Sequence, residues 1–547
     1  MDYNRLAEML FPDITETPEY YEEKYPPRNL PEGAIVTRLA PSPTGFVHLG
    51  NILQGLTSER MAHQSGGVLF LRIEDTDAKR EVKGAVKALI DGLKYCGITF
   101  DEGATADGDF GSYGPYRQRQ RVKIYHCYAK VLVQKGMAYP CFATAEELDE
   151  IRNKQQELKC DLGYYGQWAK WRDRSIEDIQ AQLDKGTPWV LRFRTDGNRL
   201  NKHPFDDLIK GRVEITENDI DHVLLKSDGI PTYHFAHAVD DHLMQTTHVV
   251  RGDEWLPSLP FHIQLFKALD FKLPKYLHIG PLMKMDGTSK RKLSKRKDPE
   301  IALSFYKKMG YPVEAINEYM LTILNSNFED WRRQNPDKPI DEFKFSYKKM
   351  NPAGSLFDEA KFRDVSKNVI SKFTAERVFE STLNWAEEFD KPFADVLSNN
   401  KERAINALNI GRGGNKPRKD IAAWSEVKDY IGFIFDECFE IVDNLDSYDK
   451  ADVKAILTEF VKTYSAGDDQ NTWFAKIKEN GAKYGYCPDM KEYKANPENY
   501  KGSVADVSSF IRIAVTGRLN SPDLYAIMQI IGEGETAKRI DKFKETL

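Results

Sequence analysis

An α/β fold around a doubly wound parallel sheet, with an inserted α+β segment and a helical C-terminal half, is what the pattern of this chain predicts. Three observations carry it. Strand-like runs alternate with amphipathic helices over residues 33–138, the alternation breaks after Tyr139 and returns near residue 221, and helical periodicity prevails from Ile301 onward. Strands alternating with helices bury a parallel sheet on both faces, and 547 residues are too many for one core.

The elements follow in order. Met1 to Glu32 is an acidic extension broken by Pro26, Pro27 and Pro31, with neither the basic start nor the apolar stretch of a signal peptide. Ala34 to Ala40 reads as a strand that empties into a Pro-Ser-Pro-Thr-Gly turn. Ile52, Leu53 and Leu56 open a helix that Ser65-Gly66-Gly67 stops, and Val68 to Ile73 is an apolar run of buried-strand type. Val86, Leu89, Ile90 and Leu93 mark a second helix, and Val122, Tyr125, Ala129 and Leu132 a third that ends near Gly136.

Beyond Tyr139 a charged helix, Thr144 to Leu158, leads through an aromatic loop to the strand-like Trp189 to Arg194. The parallel sheet is expected to resume with His222 to Leu225 and Thr247 to Arg251, with a helix over 257–269 before Tyr276 to Ile279. In the C-terminal half, Val504, Val507, Ile511 and Ala514 follow a Ser503 cap. A later helix is expected to start at Ser521 as cap with Pro522 first, and to stop at Gly532.

Composition narrows the class. No run reaches the roughly 20 apolar residues that span a bilayer, so no membrane partner and a cytoplasmic location are expected. The six cysteines, Cys96, Cys127, Cys141, Cys160, Cys438 and Cys487, form no CxxC pair and read as reduced thiols. A net charge of -6 does not exclude a local basic surface that binds nucleic acid.

Two motifs carry chemistry. Arg38-Leu-Ala-Pro-Ser-Pro-Thr-Gly45 and His48-Leu-Gly-Asn51 stand where the first strand delivers its loop, the edge at which such sheets bind ligands. His48 and Asn51 then sit at a helix N-terminus, where imidazole, amide and backbone N–H groups can meet phosphate oxygens. Taken alone, the tetrapeptide reads first as a turn with a helix cap. Lys292-Leu-Ser-Lys-Arg296 is a basic loop after the flexible Asp286-Gly287, suited to stabilise charge growing on a departing pyrophosphate. Alone, it is equally a solvated charge run.

Together these two motifs resemble the HIGH and KMSKS signatures of class I aminoacyl-tRNA synthetases. The wider wording, Arg72-Ile-Glu-Asp-Thr-Asp77, Pro231-Thr-Tyr-His234 with Asp240-Asp241, Arg251-Gly-Asp-Glu-Trp255, and Thr516-Gly-Arg-Leu-Asn-Ser-Pro522, is similar to the glutamyl-tRNA synthetase family in particular. The resemblance implies a Rossmann-type catalytic domain in two halves (33–138 and 221–280) around an acceptor-binding insert (139–220). Before these lies the extension (1–32), and after them a KMSKS-loop and stem-contact domain (281–372) and an all-helical anticodon-binding domain (373–547).

The resemblance also implies the site. Glutamate offers an ammonium and two carboxylates, and Arg38, Ala40, Ser42, Glu74, Tyr233, His237 and Arg251 would hold it, with Glu74 and Ser42 on the α-amino group. Pro43, Thr44, His48, Gly50, Asn51, Glu254, Met283 and Lys295 would hold ATP with its Mg2+. The catalytic set would be His48, Asn51, Lys292, Ser294 and Lys295. The implied reaction is adenylation of glutamate, dependent on bound tRNA, then transfer to the terminal ribose 2'-hydroxyl. The partners are tRNA(Glu), and tRNA(Gln) in a non-discriminating form, with the protein a monomer.

Three positions depart from the family wording: Asn51 for the last His of HIGH, His237 where a small or amide side chain is expected, and Arg119 where a serine is usual. No metal site is expected. His234 and His237, read as strand residues, would face opposite ways, and Cys141 lacks the cysteine partners a structural zinc needs. The basic loop Gly411 to Lys419 is a candidate phosphate contact. Of the rivals, glutaminyl-tRNA synthetases continue into β-rich domains rather than helices, and a small-molecule nucleotidyltransferase has no use for the long helical half.

Overall fold

The computed structural model describes residues 1–547 except 44, 46, 78–81, 83 and 295, and the chain forms two compact units: Met1–Leu303 with Asn317–Asp358, and Ser304–Ile316 with Glu359–Leu547. The first unit opens with helices α1 (Tyr3–Leu10) and α2 (Pro18–Lys24), capped by the side chains of Asp2 and Thr17. The extension is integrated rather than loose: Leu6, Ala7 and Leu10 are buried, and Arg28 lies 3.8 Å over the Tyr113 ring while bridging Glu102 at 2.5 Å.

The sheet begins with β1 (Val36–Leu39). Helix α3 (Leu49–Gln64) crosses to β2 (Val68–Leu71), and α4 (Ala85–Tyr95) to β3 (Glu102–Ala104), all parallel, with β4 (Asp109–Phe110) antiparallel at the edge. Helix α5 (Val122–Gln134) closes this half and buries Ile124, Tyr125, Tyr128 and Leu132.

The insert then folds on its own sheet. Its elements are β5 (Ala138–Cys141), α6 (Ala145–Glu157), α7 (Ile176–Asp184), β6 (Val190–Phe193), the hairpin β7 (Lys202–Asp207) and β8 (Gly211–Thr216), and β9 (Val223–Leu225). The run His222 to Leu225, expected to resume the parallel sheet, instead supplies β9, which pairs antiparallel with β6. Its apolar character fits either sheet, and only the pairing partner decides. Cys141 packs among Tyr139, Ile151 and Tyr164, while Cys160 is exposed.

The parallel sheet resumes after α8 (Tyr233–Leu243) with β10 (His248–Gly252), α9 (Leu259–Ala268) and β11 (Lys275–Ile279). Thr247 N–H donates to Val36 O at 3.0 Å, so β10 runs beside β1 and the two halves form a sheet ordered β3-β2-β1-β10-β11. The expectation that His234 and His237 lie on a strand is wrong, because both are on α8. After β11 come the paired strands β12 (Leu282–Asp286) and β13 (Ser289–Lys292).

The second unit is helical. Ser503 caps Val504–Thr516 in a reciprocal box with Asp506, and Val507, Ile511 and Ala514 face the core as the spacing predicts. The next helix starts later than expected: Asp523, not Ser521, caps Leu524–Ile531, while the Ser521 hydroxyl accepts from Arg512. In the basic loop, Arg412 is directed inward to the carbonyls of Leu408 and Ile370, and Arg418 pairs with Asp420. Those two side chains serve the fold. No helix among the described residues is long and apolar enough to cross a membrane.

The insert has one buried anchor. Asp221, with no exposed side-chain area, accepts from Tyr139 Oη at 2.6 Å, Arg172 Nη1 at 3.0 Å and Thr195 N at 3.0 Å. Asp221→Ala is therefore expected to cost about 3–5 kcal/mol locally, the loss from breaking a buried charged network. Hydrogen exchange should show lost protection in β5 and β6 with the second unit unaffected; unchanged protection there would contradict the assignment.

Candidate active site

The C-terminal ends of β1 and β10 lie side by side and carry Arg38 and Arg251, both 3% exposed. Arg38 Nε donates to Asp241 Oδ2 at 3.2 Å and its Nη1 to Val250 O at 3.2 Å, tying the two strand ends together. Asp241 also takes Arg72 Nη1 at 2.7 Å and lies 2.7 Å from His237 Nδ1. Its neighbour Asp240 accepts from Arg121 Nε at 2.6 Å, Tyr125 Oη at 2.8 Å and Gln118 Nε2 at 3.0 Å. Burial alone would raise Asp241, but Arg72 and Arg38 hold it well below the usual carboxylate range.

Arg251 is held differently. Its Nε donates to His278 Nε2 at 3.0 Å and its Nη1 to His262 Nδ1 at 3.0 Å, while Nη2 faces the Trp255 carbonyl at 3.5 Å. Among the described residues no carboxylate lies within ion-pair distance of it. Both imidazoles must accept, so each is neutral with its proton on the other nitrogen. Burial agrees, pushing His262 well below and His278 below the ordinary histidine value. His262 Nε2 then donates to His234 Nδ1 at 2.8 Å, and His278 Nδ1 donates to Asp207 Oδ2 at 2.7 Å.

Around this guanidinium stand the other predicted residues. Tyr233, the first residue of α8, contacts the Trp255 ring at 4.3 Å and hydrogen-bonds Arg251; burial raises its phenol. His237 stacks on Tyr233 at 5.7 Å and is fully buried, its nitrogens facing Asp241 and Tyr276 Oη, so it acts as a layer behind Tyr233. Glu74 lies 3.4 Å from Arg72 Nη2, and burial pushes its carboxyl up to about 7. Arg72 lowers it only in part, because that guanidinium is already committed to Asp241. The backbone of Glu74 is bonded to Pro41 O at 3.1 Å, which sets it beside half-buried Ala40 and exposed Ser42.

A second cleft, of about 110 Å3, brings together His48, Gly50, Glu254 and Lys292, with Gly252, Gly280 and Leu293. His48 is the N-cap of α3, and its N–H donates to Asn51 Oδ1 at 3.1 Å. A Cβ at position 50 would come within 2.9 Å of the His48 ring, so a larger residue there would have to displace that ring. Lys292 Nζ faces Glu254 Oε2 at 3.9 Å, and Met283 pairs with Lys292 across the β12–β13 ladder. Pro43 is buried at the mouth of the first loop. Thr44 and Lys295 lie outside the described residues.

The basic loop is braced from below. Asp298 is 2% exposed; it takes both Arg291 Nη atoms at 2.6 and 2.7 Å and Ser294 N–H at 2.8 Å, an arrangement that holds its carboxyl far below the usual range. The sequence reading missed Asp298, Asp207, His262 and His278, which have no motif around them. It also left Arg121 and Gln118 without a role; Arg119, singled out as a departure, donates its backbone N–H to Asp75 Oδ1 at 2.9 Å.

Comparison with known proteins supplies a context. Residues 34–330 match the family model of the catalytic domain of class I tRNA synthetases (E and Q), and residues 493–544 match an anticodon binding domain. The chain is 51% identical over 544 residues to a glutamate–tRNA ligase of Acetivibrio thermocellus, covering 99% of this chain and 100% of the relative, and 49% identical over 546 residues to that of Clostridium perfringens with the same coverage. A crystal structure of a glutamate tRNA ligase from Elizabethkingia meningosepticum, in complex with its amino acid, superimposes with a TM-score of 0.73 at 26% identity, covering 94% of this chain and 99% of that one.

Asp298→Asn should loosen the basic loop by roughly the 1.5–3 kcal/mol of a lost charge-assisted network, so limited trypsin digestion at Arg291 to Lys297 should accelerate on the order of tenfold. An unchanged cleavage rate would show that the loop does not depend on Asp298.

Proposed function

The chain belongs to the glutamate–tRNA ligase family of class I tRNA synthetases, and from that premise we propose how its residues divide the work of joining glutamate to tRNA at the expense of ATP. The carrying observation is the Arg251 guanidinium, buried, uncompensated by any described carboxylate, and held at Nη2 only by a long 3.5 Å bond to the Trp255 carbonyl among the described hydrogen bonds. A ligand carboxylate satisfies it and a neutral amide does not. Arg251 with Tyr233 takes one carboxylate of glutamate, Arg38 lies beside the other, and Glu74 with Ser42 receives the ammonium. Ala40 and His237 shape the wall.

Mg2+-ATP is the second substrate. The reading gives its phosphates to His48, Asn51 and the backbone at the start of α3, where helix N–H groups favour anions; Pro43, Thr44, Gly50, Glu254 and Met283 frame the nucleotide. An α-carboxylate oxygen of glutamate bonds to the α-phosphorus as the bond to pyrophosphate breaks. Lys292, Ser294 and Lys295 of the basic loop stabilise the charge that collects on pyrophosphate. The terminal ribose 2'-hydroxyl then attacks the activated carbonyl and AMP leaves. No resident metal enters this reading, and Cys141, packed among tyrosines, supports an insert without zinc.

In the same reading, 139–220 holds the acceptor end, 281–372 contacts the stem and 373–547 takes the anticodon arm of tRNA(Glu). The enzyme acts as a monomer in the cytoplasm. Charging of purified tRNA(Gln) with glutamate is the assay that separates a discriminating from a non-discriminating enzyme.

Two outcomes test the amino-acid site. Arg251→Leu should lower kcat/KM for glutamate by at least about a hundredfold, a loss of the order seen when one partner of a buried charged pair is removed, and wild type should discriminate strongly against glutamine; comparable values for the two amino acids would refute this. The pH dependence follows from Glu74. Burial pushes its carboxyl up to about 7, so below that pH the neutral form prevails and must lose a proton to receive an ammonium group. Apparent glutamate affinity should weaken as pH falls below 7, approaching about tenfold per unit, with Glu74→Gln weak but flat. A wild-type profile flat between pH 5.5 and 8 would remove Glu74 from the ammonium subsite.

A further inference from the structure

We propose that Asp207 and His278 are positioning residues for Arg251: the hairpin of the insert, through Asp207, sets the tautomer of His278, and His278 sets the guanidinium. The proposal rests on the reading of Arg251 as a glutamate contact.

The geometry is continuous and buried. Asp207 closes β7, is 3% exposed, and takes four donors: Ile209 N at 2.9 Å and Lys210 N at 2.7 Å from its own turn, and His278 N at 3.2 Å and Nδ1 at 2.7 Å from β11. Leu208 N–H adds a bond to Tyr276 O at 3.0 Å, so the hairpin turn is docked on the edge of β11. A carboxylate can only accept, so the His278 proton must sit on Nδ1, and Nε2 is left as an acceptor facing Arg251 Nε at 3.0 Å. The same turn sends Lys210 Nζ to Asp253 at 2.9 Å, two residues past Arg251, bracing the strand end from the other side.

The chemistry of this relay bears on specificity. A carboxylate placed directly on Arg251 would fix it equally well but would cancel its charge, as Asp241 and Asp240 do for Arg38, Arg72 and Arg121. An imidazole between the aspartate and the guanidinium gives orientation while keeping the negative charge one ring away. The guanidinium then meets its ligand with its charge still available, which favours a carboxylate over an amide. If the His278 proton moved to Nε2, two N–H groups would face each other and the guanidinium would have to turn.

The test uses the full-length enzyme in steady-state aminoacylation. His278→Leu removes the acceptor and should raise KM for glutamate about ten- to hundredfold, the cost of one hydrogen bond to a charged group, with KM for ATP little changed. His278→Gln can place its carbonyl near the Nε2 position and should recover most of that loss, which a merely structural role would not predict. Nitrogen NMR of histidine-labelled protein should report the Nδ1–H tautomer for His278 in wild type and its loss in Asp207→Asn. An unaltered glutamate KM in His278→Leu, equal impairment in the Leu and Gln variants, or an Nε2–H tautomer in wild type would each overturn the relay. Arg251→Leu is run in parallel. If it impairs glutamate use while His278→Leu does not, only the relay fails; if it too leaves glutamate KM unchanged, the reading of Arg251 fails first.

Discussion

Three arginines with almost no solvent exposure, Arg38, Arg72 and Arg121, converge on two consecutive aspartates of α8, and the rest of the catalytic unit is arranged around that cluster. A buried guanidinium without a partner is too costly to keep, so each must find its carboxylate. Arg38 comes from β1, Arg72 follows β2, Arg121 precedes α5, and the aspartates follow the insert. Satisfying all of them at once fixes the register between the two halves of the sheet. The insert can therefore interrupt the chain without loosening the site.

Against that background Arg251 is the exception among the buried arginines at this end of the sheet. Its partners are neutral imidazoles rather than carboxylates, so its own charge is not offset by a described carboxylate in a low-dielectric setting where a ligand carboxylate is worth most. Glu74 is its counterpart of opposite sign. Burial holds that carboxyl near neutrality until a cation arrives, because the nearby Arg72 is already committed. A buried carboxyl and a buried guanidinium thus stand near one another, the arrangement from which the proposed ammonium and carboxylate contacts are argued.

The nucleotide cleft uses backbone more than side chains. Asn51 secures the first turn of α3 by accepting the His48 N–H, and glycine at position 50 leaves room for the His48 ring in its present place. The replacement of the usual histidine by Asn51 therefore keeps a helix cap as well as a donor amide. Below the basic loop, Asp298 holds Arg291 and Ser294, so charge in the loop is divided between a braced base and Lys292, which lines the cleft.

The sequence by itself determined the alternation of strands and helices, the helical second unit, and the family, because these rest on local periodicity and on motifs whose members are close in the chain. Arg38, Glu74, Tyr233 and Arg251, singled out from those motifs, do stand at one end of the sheet, and their proposed contacts with glutamate rest on that placement. Tertiary structure alone decided the rest. Val223–Leu225 joined the sheet of the insert rather than the parallel sheet, since a short apolar strand fits either and only the partner edge chooses. His234 and His237 proved helical, and Asp523 displaced Ser521 as a cap, because cap and face are settled by packing over a few residues of slack. Asp207 and His278 meet across 71 residues of sequence. No local pattern marks them, since what pairs them is the docking of a hairpin on a strand edge, and that contact exists only once the chain has folded.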